Sequence, residues 1–134
     1  MKNILIGITG SIAAYKTVFL VRELRKKNYN CKVLISSGGL RFVTPEIFAG
    51  FGCEVYTDKS INIASPDEAM LHINLAKWAD RFIIAPLSAH TLAKLAHGFA
   101  DNLLTQAVLA YDASIQPIYL APAMNQQMWH NLAT

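Results

Sequence analysis

The fold is decided by ILIGITGSIAAYKTVFLVRELRKKNYNCKVLI, residues 4–35. Ile4 to Ile8 is an aliphatic run with little alternation, which predicts a strand covered on both faces. Gly10 and Ser11 end it. From Ile12 the spacing turns helical, with Val18, Leu20, Val21 and Leu24 apolar against Lys16, Glu23 and Lys27, until Asn28 stops it. Cys31 to Ile35 predicts a second strand. Strand, helix and parallel strand within about 36 residues form a βαβ unit, whose crossover is right-handed.

The same grammar recurs downstream. Leu71 to Trp78 predicts a helix, Phe82 to Ala85 a strand, Ala89 to His97 and Leu103 to Leu109 two helices, and Ile118 to Ala121 a strand. Asn125 to Ala133 opens another helix, Glu54 to Tyr56 adds a short strand, and Thr57 to Pro66 reads as one long exposed loop. The predicted class is α/β: one domain, residues 1–134, with an open, doubly wound parallel sheet. It is a three-layer, Rossmann-like or flavodoxin-like arrangement with helices on both faces.

Composition narrows the function. Of 134 residues, 53% are hydrophobic and 16% charged, against about 45–50% and 25% in typical domains. Such a chain builds a core and is expected to bury part of its surface in subunit contacts. The net charge of +3 comes from 12 Lys and Arg against 9 Asp and Glu. Its one dense basic cluster, Arg22, Arg25, Lys26 and Lys27, reads as a solvated helix end, so nucleic acid is not an expected partner. Cys31 and Cys53 form no CxxC and have no ligand-spaced neighbours, so no metal site is expected and a reducing, cytoplasmic setting fits. Gly7, Thr9, Gly10 and Ser11 interrupt the apolar start, which argues against an export signal. Pro117, Pro122, Asn125, Gln126, Gln127 and Asn131 make the uncharged stretch 113–134 unfit for a bilayer, so no membrane partner is expected.

In doubly wound sheets ligands bind beyond the carboxyl ends of the strands, so the turns carry the chemistry. Here they are GITGSIAAYK (7–16), ISSGGLRFVTP (35–45), APLSAHT (85–91) and APAMN (121–125). Gly10 and Ser11 open a helix, where free amides and a hydroxyl favour a phosphate, although Ser11 also reads as a plain cap. Ser88 and Thr91 repeat the pattern with the same two readings. Two hydroxyl-bearing turns on one sheet suit a mononucleotide. No acidic residue ends the second strand to grip a ribose; Ser36 and Ser37 stand there, which argues against NAD and for the ribityl chain of a flavin. Met128 and Trp129 read as one apolar helix side beside Met124. Asn125 differs, because an amide at a strand end donates to a substrate carboxylate without adding charge. His72, in LHINLAKWAD, reads from spacing alone as structural, and His90, His97 and His130 have no stronger claim.

PAMNQQMW (122–129) resembles the PxMNxxMW motif of the flavin-containing cysteine decarboxylases, and HINLAKWAD (72–80) resembles the segment carrying their active-site histidine. GITGSIAAYK, RFVTP (41–45) and HGFADNLLT (97–105) extend the likeness over essentially the whole chain. Within the family the chain is most similar to the phosphopantothenoylcysteine decarboxylases that form the N-terminal part of bifunctional coenzyme A biosynthesis flavoproteins. The resemblance implies FMN held at a subunit contact of a homotrimer, or of a dodecamer built from trimers. It implies that Gly10, Ser11, Ile12, Ser36, Ser88, Ala89, His90 and Thr91 line the flavin and its phosphate. It makes His72 the catalytic histidine and gives Asn125, with Met124, the substrate carboxylate. The implied reaction is decarboxylation of 4′-phosphopantothenoylcysteine to 4′-phosphopantetheine. Two departures stand out. His90 occupies a position where many relatives carry Asn, and residues 1–134 stop before the family's substrate clamp and its protonating cysteine, whose place neither Cys31 nor Cys53 takes. The expected domain is therefore an FMN-binding core without the clamp. The alternatives are a flavin prenyltransferase of the same fold, which lacks the Asn of PxMNxxMW, and a non-catalytic flavin-binding subunit.

Overall fold

In the computed structural model, which describes residues 2–60 and 65–134, the first βαβ unit is laid down as β1 (Asn3–Ile8), α1 (Ala14–Lys26) and β2 (Asn30–Ile35). Helix α1 starts at Ala14 rather than Ile12, because residues 10–13 form a turn in which Ala14 N–H reaches the Ser11 carbonyl. Asn28, between α1 and β2, turns the chain at φ 65°, a left-handed conformation that Asn tolerates better than most residues. The chain continues through α2 (Pro45–Ala49), β3 (Glu54–Tyr56), α3 (Pro66–Ala69), α4 (Leu71–Trp78) and β4 (Arg81–Leu87). It closes with α5 (Ala89–His97), α6 (Leu103–Ala110), β5 (Ile118–Pro122) and α7 (Gln126–Trp129).

All strand pairs are parallel, in the order β3-β2-β1-β4-β5. Alternate residues of β1 feed two cores. Ile4, Ile6 and Ile8 pack with Val33, Ile35, Val21 and Phe48 on the α1 side. Leu5 packs with Phe82, Leu75, Leu103 and Leu104 on the α4 and α6 side. The sheet is thus covered on both faces, and β1 shows little apolar–polar alternation for that reason. Phe82 is fully buried and meets Tyr111 edge to face, with ring centroids 5.6 Å apart.

Two local expectations are corrected, and one stretch holds elements that the sequence pattern does not predict. The helix expected over 125–133 is a single turn, Gln126–Trp129, because Met128 and Trp129 stay exposed and no apolar burial sustains a longer one. The long loop expected over 57–66 carries a 3₁₀ turn at Asp58–Ser60, and its residues 61–64 lie outside the described residues. The stretch between β2 and β3 holds a 3₁₀ turn, Gly39–Arg41, and helix α2, both too short to show a period in sequence.

Candidate functional site

The strand order places a switch point between β1 and β4: the chain runs outward from β1 through β2 to β3, then returns to lay β4 on the other side of β1. The carboxyl ends of two such strands diverge into a crevice. Here the crevice is tied from below. Thr9 Oγ1 donates to the Pro86 carbonyl at 2.7 Å and accepts from Ser88 N–H at 2.8 Å, while Thr17 Oγ1 donates to the Ala85 carbonyl at 2.7 Å. Thr9 and Thr17 are buried, so these hydroxyls hold the two turns in register in a low-dielectric setting where a lost partner is costly.

The turn after β2 closes against the turn after β1. A Cβ on Gly10 would lie 3.2 Å from Gly38 Cα, and one on Gly38 would lie 3.2 Å from Gly10 Cα. Gly39 is tighter still, since a Cβ there would come within 2.7 Å of the Ile8 carbonyl oxygen. Ser36 Oγ accepts from Gly39 N–H at 3.1 Å and fixes the start of the 3₁₀ turn.

Two adjoining hollows open above these turns and share Gly10 and Ser88. One, of about 480 Å³, is largely apolar and lies between the Gly10–Ala13 turn, Ser88 and Ala89, and the Ala123–Asn125 segment. The other, of about 230 Å³, is polar and is walled by Ser36, Ser37, Thr91 and Asn102 with Arg41, His90 and Lys94. Gly10, Ser11, Ile12, Ser88, Ala89, Met124 and Asn125 therefore come together at the apolar hollow, and Ser36, His90 and Thr91 join Gly10 and Ser88 at the polar one. His72 does not join them. It is half-buried on α4, whose Leu75 and Ala76 pack in the core on the α6 side, and it lines neither hollow.

Several of these side chains also serve the backbone. Ser88 is the N-cap of α5: its Oγ accepts from Thr91 N–H at 3.2 Å and bonds the Thr91 hydroxyl at the same distance. Ser11 Oγ accepts from Ala13 N–H within its own turn. Asn125 caps α7, its Oδ1 accepting from Met128 N–H at 2.8 Å. That bond settles which end of the amide is spent, and leaves Nδ2 as the end that donates.

Arg41, Lys94 and Asn102 were not singled out by sequence. Lys94 Nζ donates to both carboxylate oxygens of Asp101, at 3.0 and 2.8 Å, and that hydrogen bonding holds the Asp101 carboxyl below the usual carboxylate range. Asn102 caps α6 through a reciprocal pair with Thr105. The cysteines lie elsewhere, at the amino ends of β2 and β3. Burial pushes the Cys31 thiol up to about 11 and raises Cys53 as well, which marks both as unreactive core residues. Among the described residues no three His, Cys, Asp or Glu side chains gather to hold a metal ion, and no helix is long and apolar enough to cross a membrane.

A hydroxyl- and cation-lined hollow beside a larger apolar one that an amide lines fits a phosphorylated molecule that carries a flat apolar ring system. The comparisons agree. A family model described as Flavoprotein matches residues 1–134. The coenzyme A biosynthesis bifunctional protein CoaBC of Haemophilus influenzae is 45% identical over 133 residues, covering 99% of this chain and 32% of that protein. The chain thus spans about a third of the length of this curated relative. Among solved structures, the FMN binding protein AtHal3 superposes with a TM-score of 0.84 at 35% identity, covering 97% of this chain and 70% of the other. A cysteine-to-serine mutant of PPC decarboxylase, complexed with pantothenoylaminoethenethiol, gives a TM-score of 0.84 at 35% identity over 97% and 71% of the two chains.

Proposed function

The chain belongs to the Flavoprotein family, and on that footing we propose that it is the FMN-binding, decarboxylating domain of an enzyme that converts 4′-phosphopantothenoylcysteine to 4′-phosphopantetheine in coenzyme A biosynthesis. The observation that carries the reading is the pair of adjoining hollows at the β1–β4 switch point, with the PxMNxxMW amide lining the apolar one. FMN, when bound, supplies the two-electron redox chemistry that turns the carboxylate of a cysteinyl C-terminus into a leaving group.

The protein's part is placement. Gly10, Ser36, Ser88, His90 and Thr91 would hold the phosphate end through hydroxyls and backbone, and Ser11, Ile12 and Ala89 would border the ring end. Asn125, beside Met124, would donate its Nδ2–H to the substrate carboxylate. An uncharged donor suits that task, since it orients the carboxylate without stabilising it so strongly that loss of CO₂ is opposed.

His72 would handle a proton in the site of a neighbouring copy, because within one chain it borders neither hollow. That reading requires an assembly, and a homotrimer, alone or multiplied into a dodecamer, is the form proposed. Ile12, in the turn before α1, and Tyr15 and Phe19 on α1 are exposed apolar side chains, and the edge strand β5 exposes Tyr119 and Leu120 on its two faces. Apolar surface of this kind is what subunit contacts cover. A small-molecule substrate and a cytoplasmic setting complete the proposal.

The test is direct. The purified full-length protein should be yellow, release FMN on denaturation, and convert 4′-phosphopantothenoylcysteine to a product lighter by CO₂, read by mass spectrometry. Bound FAD, or no flavin, overturns the cofactor. Bound FMN without turnover points instead to a non-catalytic flavin-binding subunit.

A further inference from the structure

We propose that Arg41, reaching the polar hollow from the 3₁₀ turn after β2, is the fixed counter-charge that makes this site select a flavin phosphomonoester over the unphosphorylated flavin. The inference rests on the FMN reading given above. The groups able to carry positive charge around that hollow are Arg41, His90 and Lys94, and no carboxylate lines it. They are not equivalent. Lys94 is held by two hydrogen bonds to Asp101, so its charge is already balanced. Among the described residues no carboxylate lies within 4.0 Å of the Arg41 guanidinium, whose Cζ stands 5.7 Å from the ring centroid of Phe42. Arg41 is thus the uncompensated, permanently charged member of the set.

Its backbone is also fixed in place. Gly39 N–H donates to Ser36 Oγ, Arg41 N–H donates to the Gly38 carbonyl, and the clearance of 2.7 Å between a Cβ at Gly39 and the Ile8 oxygen leaves the turn one way to lie on β1. Ser36 and Thr91 face the same hollow and are more than nine-tenths buried. Ser36 Oγ accepts from Gly39 and keeps its own proton to give. A hydroxyl floor with a planar, five-donor cation at its mouth matches a phosphomonoester dianion, which takes paired donors and two charges' worth of balance. A turn that held phosphate through glycine amides alone would be indifferent to residue 41.

The experiment loads the full-length protein with FMN or with riboflavin and follows release of each by the return of free-flavin fluorescence on dilution. Wild type should release riboflavin faster than FMN. Arg41→Gln should speed FMN release about 10- to 100-fold, the loss of one charged hydrogen-bonding partner, and leave riboflavin release unchanged; Arg41→Lys should fall between. Arg41 is exposed, so the thermal midpoint of the flavin-free variant should match wild type. Equal FMN release from wild type and Arg41→Gln, or equal acceleration of both flavins, overturns the assignment. Equal retention of FMN and riboflavin by wild type overturns it too while leaving flavin binding intact, whereas a protein that holds neither flavin removes the functional reading and this inference together.

Discussion

The apolar hollow has two walls built on opposite plans. On one side the turns after β1 and β4 are locked by buried hydroxyls: Thr9 is 0% and Thr17 3% exposed, and each donates across to a β4 carbonyl. On the other side, β5 is an edge strand paired only with β4, Tyr119 is 50% exposed, and α7 is one turn whose Trp129 is 51% exposed. The locked wall is complete within one chain. The open wall bears Asn125 and exposed apolar side chains, so the two walls differ in how tightly residues 2–134 pin them.

The sharpest way to break this contrast is at Asn125. A carboxylate there keeps the cap on Met128 N–H but removes the Nδ2 donor and repels a substrate carboxylate. Asn125→Asp should therefore cost about 100- to 1000-fold in turnover with FMN retained, measured by steady-state assay and the flavin spectrum. If the open wall is completed by a neighbour, mixing Asn125→Asp with His72→Asn protein after dissociation and reassembly should recover about a quarter of wild-type activity, the share of sites that draw both intact residues from different copies. No recovery would place His72 and Asn125 in the same chain's site.

The locked wall predicts a loss of stability instead. Thr9→Val leaves the Pro86 carbonyl its bond from Thr9 N–H but orphans Ser88 N–H in a buried place. The expected cost is about 1–3 kcal/mol, read as a lower urea midpoint, with weaker flavin retention because Ser88 heads α5. Phe19→Lys, at an exposed position of α1, should leave the fold intact and shift sedimentation toward smaller species; an unchanged assembly would move the contact elsewhere.

The smallest effect lies far from both walls. The Cys31 thiol is raised from 9.0 to about 11, chiefly by burial. A thiol titrates from neutral to charged, so the unfolded chain ionises first. The stability from keeping it neutral is whole below pH 9 and drains away as pH climbs from about 9 to about 11. Cys31→Ala should flatten the fall of the urea midpoint over that window.

How far the sequence could be read follows the same division. Helices α4 and α5 have the ends expected from their spacing, and the sheet follows from aliphatic runs punctuated by Gly and Ser. The turns were legible because glycine and hydroxyl residues directly follow those runs. Arg41 and Lys94 were not, because they reach one hollow only where the turn after β2 comes up against Gly10 and beside the start of α5, and no local pattern records a distance between turns. Over 125–133 the pattern promised more helix than forms, since an apolar side specifies a helix only when something buries it. For His72, resemblance and single-chain geometry part company, since it borders neither hollow.

The Thr9 hydroxyl has one more consequence, for the order in which the molecule can come into being. It joins residues 77 positions apart, so nothing emerging from a ribosome can close the crevice until β4 has been made and laid against β1. Local helices form without that step, but the binding turns cannot, because their register is written in a contact whose loop-closure entropy must first be met. A nascent chain shorter than residue 88 has no place for a ligand, and a ligand that binds only the closed turns acts as a late fastening, drawing the final docking of the two halves toward completion.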